Sequence, residues 1–260
     1  MAELPRRGSR MHLCPASSAR RPVTPRTTCA GRGTAHGFTL VELLVVVAVI
    51  SLLLGLLVPA LAEARGISRS TVCTSNLRQW GIAVNMYAHD NEDFLPRRGQ
   101  GVRPTVIINR TADWFNALPP VIGLTSFSDL SDQNREPKPG DRSIWVCPQL
   151  QQASGLYCFA YGMNMCLSTW DAKLPARIDQ VAPTDVQVFM ADGPGPQCSL
   201  FPSTAAYSPV ARHANSTNIA FLDSHVRLFS GRSIGCGIGD PQRSDVMWTV
   251  PGSPWNGPGQ

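Results

Sequence analysis

Between Phe38 and Ala62 the chain reads FTLVELLVVVAVISLLLGLLVPALA, an apolar run of 25 residues broken by a single charge, Glu42. A run of that length crosses a bilayer as one helix. A secretory signal carries a shorter apolar stretch followed by a small-residue cleavage site, so this run is read as one transmembrane helix that stays with the protein. Whatever else the chain folds into has to begin from that anchor.

The net charge of +5 suggests an anionic partner until its location is considered. Residues 1–37 hold seven arginines against one acid, Glu3, so this leader carries +6 and residues 38–260 carry about −1. The leader has no apolar periodicity, and its arginines hold it in the cytoplasm by the positive-inside rule, which sends the body to the opposite side. A nearly neutral body with no basic stripe offers phosphates no broad attraction, so no nucleic acid partner is expected.

Beyond the anchor, Cys73, Leu77, Trp80, Val84 and Tyr87 step by alternating fours and threes and share one helical face, with Arg78 and Asn85 elsewhere. Residues 63–90 are therefore an amphipathic continuation of the helix, ending at Asp90-Asn91. Pro59 removes one helical hydrogen bond, so a kink or local melting is expected near it, although proline is also common in membrane helices without further meaning. Residues 91–140 are rich in Gly, Pro, Asp and Ser and read as a loop-rich connection. In 141–230 the strand-like runs SIWVC, LYCFAYG, VQVFMADG, NIAFL and HVRLF alternate with turns, and 231–260 is a Gly/Pro-rich tail. The expected fold is α+β: a long N-terminal helix, half in the membrane and half amphipathic, packed on a small antiparallel sheet.

Two of the eight cysteines lie in the leader, and the other six are Cys73, Cys147, Cys158, Cys166, Cys198 and Cys236. An even number suits disulfides in an oxidising compartment, while the lack of a C-x-x-C pair weakens a zinc reading. Asp192, His213, Asp223 and His225 could converge as a metal site of mixed nitrogen and oxygen ligands. The alternative is a hydrogen-bond cluster that pins a loop to a hairpin. A calcium ion is disfavoured because two histidines do not suit a hard oxygen site.

The segment GFTLVELLVVVAVI resembles the type IV prepilin signature, with Gly37 before the cut, Phe38 after it and Glu42 at the fifth mature position. The resemblance implies cleavage between Gly37 and Phe38 by a prepilin peptidase, methylation of the Phe38 amine, and pairing of Glu42 with the terminal amine of a neighbouring subunit. Snorkelling of Glu42 to the interface is the plainer alternative. It also implies that the kink at Pro59 is shared.

Residues 70–96 are similar to the segment that follows the anchor in a large group of bacterial pilin-like proteins. That group carries His, nine residues, then Asp-Gly; here His213 and Asp223 match, and Ser224 replaces the glycine. The flanking runs predict a hairpin with Asp223-Ser224 as a two-residue turn. In the same group Cys147-Pro148 and Tyr161-Gly162-Met163-Asn164 recur; Cys158 lies between them and could close a small disulfide loop with Cys147 or Cys166, with a buried structural thiol as the competing reading.

The function implied is that of a structural subunit, with no active site and no cofactor, in a type IV pilus-like or type II secretion pseudopilus filament. Its partners are the prepilin peptidase and other pilin-like subunits. Its place is the inner membrane, single-pass, with a periplasmic soluble domain. The alternative is a membrane-tethered periplasmic metal-dependent enzyme or binding protein. No nucleophile elbow, H-E-x-x-H or phosphate-binding glycine loop supports that alternative.

Overall fold

The computed structural model describes residues 37–99, 108–151, 157–168, 176–181, 183–202, 207–234 and 243–250. The leader before Gly37, Cys236 and the end of the tail lie outside these residues. The chain forms two units, residues 1–51 and 52–260, and helix α1 (Leu40–Asp90) contributes to both.

In the first unit every described residue is exposed, including Phe38, Leu40, Val41 and the run of valines to Val49. The apolar stretch of α1 is long enough to cross a membrane, and none of it is buried within the chain. Helix α1 runs without interruption through Pro59.

In the second unit α1 carries the predicted buried face. Cys73, Leu77, Trp80 and Val84 are fully buried, and Tyr87 is half-buried at its edge. The helix ends at Asp90, where Glu92 and Asp93 take positive φ and the Asp93 N–H returns to the Ala88 carbonyl at 2.8 Å. Residues 91–140 are less loop-like than their composition suggests. They contain α2 (Trp114–Val121) and α3 (Phe127–Asp132), whose prolines and short length hide the helical period. Ser126 caps α3 by accepting the Asp129 N–H at 3.2 Å.

The sheet comprises β1 (Phe159–Asn164), β2 (Val188–Gly195), β3 (Ser199–Leu200), β4 (Ser216–Phe221) and β5 (Val226–Ser230) in the order β3-β1-β2-β4-β5. Three of its pairings are antiparallel, as expected, and the short β3 adds one parallel pairing to β1. SIWVC is a turn and not a strand. Its carbonyls are satisfied from α1: Trp80 Nε1 donates to Ile144 at 3.2 Å and Asn76 Nδ2 to Val146 at 3.2 Å, so the segment needs no ladder. Trp80, Trp114, Trp145, Phe115, Phe127 and Phe159 make one aromatic core, with edge and stacked contacts of 4.7–6.1 Å between centroids.

The hairpin turn also differs from expectation. Phe221 N–H donates to the His225 carbonyl and Ser224 N–H to the Phe221 carbonyl, both at 3.0 Å, which makes a three-residue loop with Ser224 left-handed at φ 72. Leu222 leaves the ladder because its side chain is fully buried and its N–H bonds the Gln187 carbonyl at 3.1 Å. Serine is tolerated where glycine is favoured because Asn85 Nδ2 donates to Ser224 Oγ at 3.0 Å and to the Leu222 carbonyl at 2.7 Å.

Gly81 lets the turn reach the helix: a Cβ there would lie 2.9 Å from Ser224 Cα. Gly81→Ala should destabilise the soluble region by about 1–3 kcal/mol in chemical unfolding followed by tryptophan fluorescence, because the clash is with backbone. Asp113 yields a second expectation. It is 1% exposed, neither carboxylate oxygen has a hydrogen-bond partner among the described residues, and burial pushes its pKa up to about 6 despite Arg110 and Arg97 nearby. The folded chain therefore holds a proton that the unfolded chain has lost between pH values of about 4 and 6, so stability falls as pH rises through that window. Asp113→Asn should remove that slope and be more stable at neutral pH, by up to about 3 kcal/mol, in unfolding measured across the window.

Candidate functional site

At the start of the anchor, Gly37 and Phe38 precede the helix and are exposed, and a Cβ on Gly37 would meet nothing within 4 Å. The backbone here is open to a protease, as a cleavage site requires. Thr39 and Glu42 then form a reciprocal cap. Glu42 Oε2 accepts the Thr39 N–H at 2.8 Å and the Thr39 hydroxyl at 2.7 Å, while the Glu42 N–H donates to Thr39 Oγ1 at 3.2 Å. This is the T-x-x-E capping box, a local role for Glu42 legible in Thr39-Leu40-Val41-Glu42 and missed in the sequence reading.

Inside the second unit, four segments bring polar groups to one point. Asp192 lies on β2 and His213 opens the turn into β4, where Ala214 and Asn215 take positive φ and His213 and Ser216 exchange backbone hydrogen bonds at 2.9 and 3.0 Å. His213 Nε2 lies 3.2 Å from Asp192 Oδ2 and 3.6 Å from Cys147 Sγ. Cys147 is disulfide-bonded to Cys73 on α1, with Cα atoms 5.3 Å apart. The β2–β4 register places Asn218 beside Asp192, whose Oδ2 accepts the Asn218 N–H at 2.7 Å and Nδ2 at 3.1 Å. Thr74 Oγ1 closes the ring from α1 by donating to Asn218 Oδ1 at 2.9 Å. Asp192, His213, Cys73 and Cys147 are all buried, which suits a structural centre and gives a substrate no surface to meet.

Of the four residues proposed as metal ligands, only Asp192 and His213 come together. Asp223 and His225 form a separate exposed pair on the hairpin turn, 2.6 Å from Oδ1 to Nδ1, and the His225 ring stacks on Phe221 at 4.3 Å. This pairing is local to the turn and takes both residues out of the interior. The cysteines also correct the expectation. Cys147 pairs with Cys73, one of the six candidate cysteines and part of the helix face, and not with Cys158. Cys158 and Cys166 sit at opposite ends of β1, separated by roughly 20 Å of extended chain, and cannot pair with each other. Cys158, Cys166 and Cys198 are buried free thiols whose pKa values burial pushes up to about 11, 12 and 12. Cys236 lies outside the described residues.

Residues 32–58 match the family described as the prokaryotic N-terminal methylation motif. Over 60 residues the chain is 42% identical to the type IV wide pilus major component PilA4 of Thermus thermophilus. That match covers 23% of this chain and 46% of the relative, so the chain spans about half the length of the curated protein it resembles. No solved structure matches it.

Peptide mapping of the unreduced chain should recover Cys73 and Cys147 in one linked peptide, with Cys158, Cys166 and Cys198 alkylated only after unfolding. Cys73→Ser should cost about 2–4 kcal/mol in the same unfolding measurement, because the bond closes a long loop. A Cys147–Cys158 link would contradict this pairing.

Proposed function

We propose that this chain, whose N-terminal segment is type IV pilin-like, is a structural subunit of a membrane-assembled filament, with no catalytic role. The observation that carries this is the first half of α1, apolar on every side and exposed on every side. A helix of that kind needs lipid before assembly and the helices of neighbouring copies afterwards. The inner membrane, a periplasmic soluble domain, and other pilin-like subunits as partners follow from this reading. A pilus is favoured over a type II secretion pseudopilus, since the relative matched is a wide pilus component.

In this reading a prepilin peptidase cuts between Gly37 and Phe38, the new amine is methylated, and Glu42 of one subunit meets the Phe38 amine of the next. The capping box leaves room for that second role. Both Thr39 contacts fall on Glu42 Oε2, so Oε1 is left to an incoming cation.

Intact mass of the membrane-extracted protein should correspond to a chain beginning at Phe38 and heavier by one methyl group. A product retaining Arg32, or one cut after Ala62, would sink the reading. Glu42→Ala should leave cleavage intact and remove the subunit from sheared filaments, by at least about tenfold if the buried charge pair forms.

A further inference from the structure

The ring around Asp192 holds more polar chemistry than a disulfide uses. A disulfide is satisfied by apolar surroundings, whereas a carboxylate and an imidazole taken out of water each need partners. Here Asp192 Oδ2 and His213 Nε2 are met, while Asp192 Oδ1 and His213 Nδ1 are buried with no partner among the described residues. One ligand atom from each of Cys73, Cys147, Asp192 and His213 lies within 4.8 Å of all the others. Two thiolates, an imidazole and a carboxylate form a donor set that selects a tetrahedral zinc ion.

We propose that the dithiol form of this pocket is a zinc site with Cys73, Cys147, Asp192 and His213 as its four ligands. Zinc and the disulfide are then alternative occupants of the same two cysteines. Ligand atoms of a tetrahedral zinc lie roughly 3.5 Å apart, so the two sulfurs must separate on reduction while the wider pairs within the 4.8 Å spread close. Asn218 serves as the outer partner that fixes the carboxylate, through its two N–H groups on Oδ2. The exchange balances in two steps. A dithiol reductant breaks the Cys73–Cys147 bond, becomes a disulfide itself and leaves two thiols; zinc then binds as both thiols release their protons to water. A newly made chain, still reduced, needs only the second step. This site stands apart from the filament reading and survives if that reading fails.

Cobalt(II) is the probe, because tetrahedral thiolate coordination gives it intense visible bands and a near-ultraviolet charge-transfer band. The full chain in detergent is reduced anaerobically with a dithiol, freed of reductant by gel filtration and titrated with the metal. Reduced protein should take up about one cobalt per chain with both signatures, and the oxidised protein none. His213→Ala and Asp192→Asn should each weaken binding by at least about tenfold, while Cys158→Ser leaves it unchanged. Reduced wild-type protein that keeps its circular dichroism and shows no thiolate band would overturn the proposal. So would bands that survive Cys73→Ser, or an affinity indifferent to both His213→Ala and Asp192→Asn.

Discussion

The second half of α1 supplies both the apolar floor and the polar fasteners of the soluble region, and the irregular chain around it is stable only because of that. Trp80, Leu77 and Val84 give the sheet and the aromatic cluster a surface to bury. Asn76, Trp80 and Asn85 also donate from the same helix to carbonyls of residues 143–146 and 222. Buried backbone outside a helix or sheet is costly unless each polar group is met. By meeting them, α1 allows a turn-rich segment to run through the interior and deliver Trp145 and Cys147.

A second constraint follows from placing a carboxylate where Asp192 sits. An unpaired buried charge costs several kcal/mol, so the residue persists only if its surroundings are fixed by other contacts. The fixing comes from three elements at once: Asn218 on β4, His213 at the turn before it, and Thr74 on α1 acting through Asn218. There a disulfide ties α1 to the turn segment at Cys147, and a hydrogen-bonded chain beside it ties α1 to the sheet. Each limits the movement of the other.

Much of this is legible in the sequence, where the signal is local. The anchor, the buried stripe of α1, its end at Asp90 and strands β1, β2, β4 and β5 follow from periodicity and turn residues. The His213–Asp223 spacing also carries meaning, since it brackets β4 between two turns with left-handed residues. What escapes is decided by partners far along the chain. SIWVC has strand composition, yet its carbonyls go to helix side chains; Cys73 is one of six candidate cysteines, and only the fold brings Cys147 beside it. Leu222 reads as the end of a strand because nothing nearby reveals that Gln187 and Asn85 claim its backbone.

The two halves of α1 make opposite demands on their surroundings, and Glu42 stands where those demands are sharpest. A carboxylate in the middle of a membrane helix costs roughly 2.5–3.5 kcal/mol on insertion scales. At the first turn the cost is reduced, because the helix dipole favours a negative group there and Thr39 supplies two donors. The capping box thus gives Glu42 partners within its own chain. On the filament reading, cleavage at Gly37 creates a cation one residue before Thr39, and a carboxylate already held at the helix end meets it without first giving up its own cap.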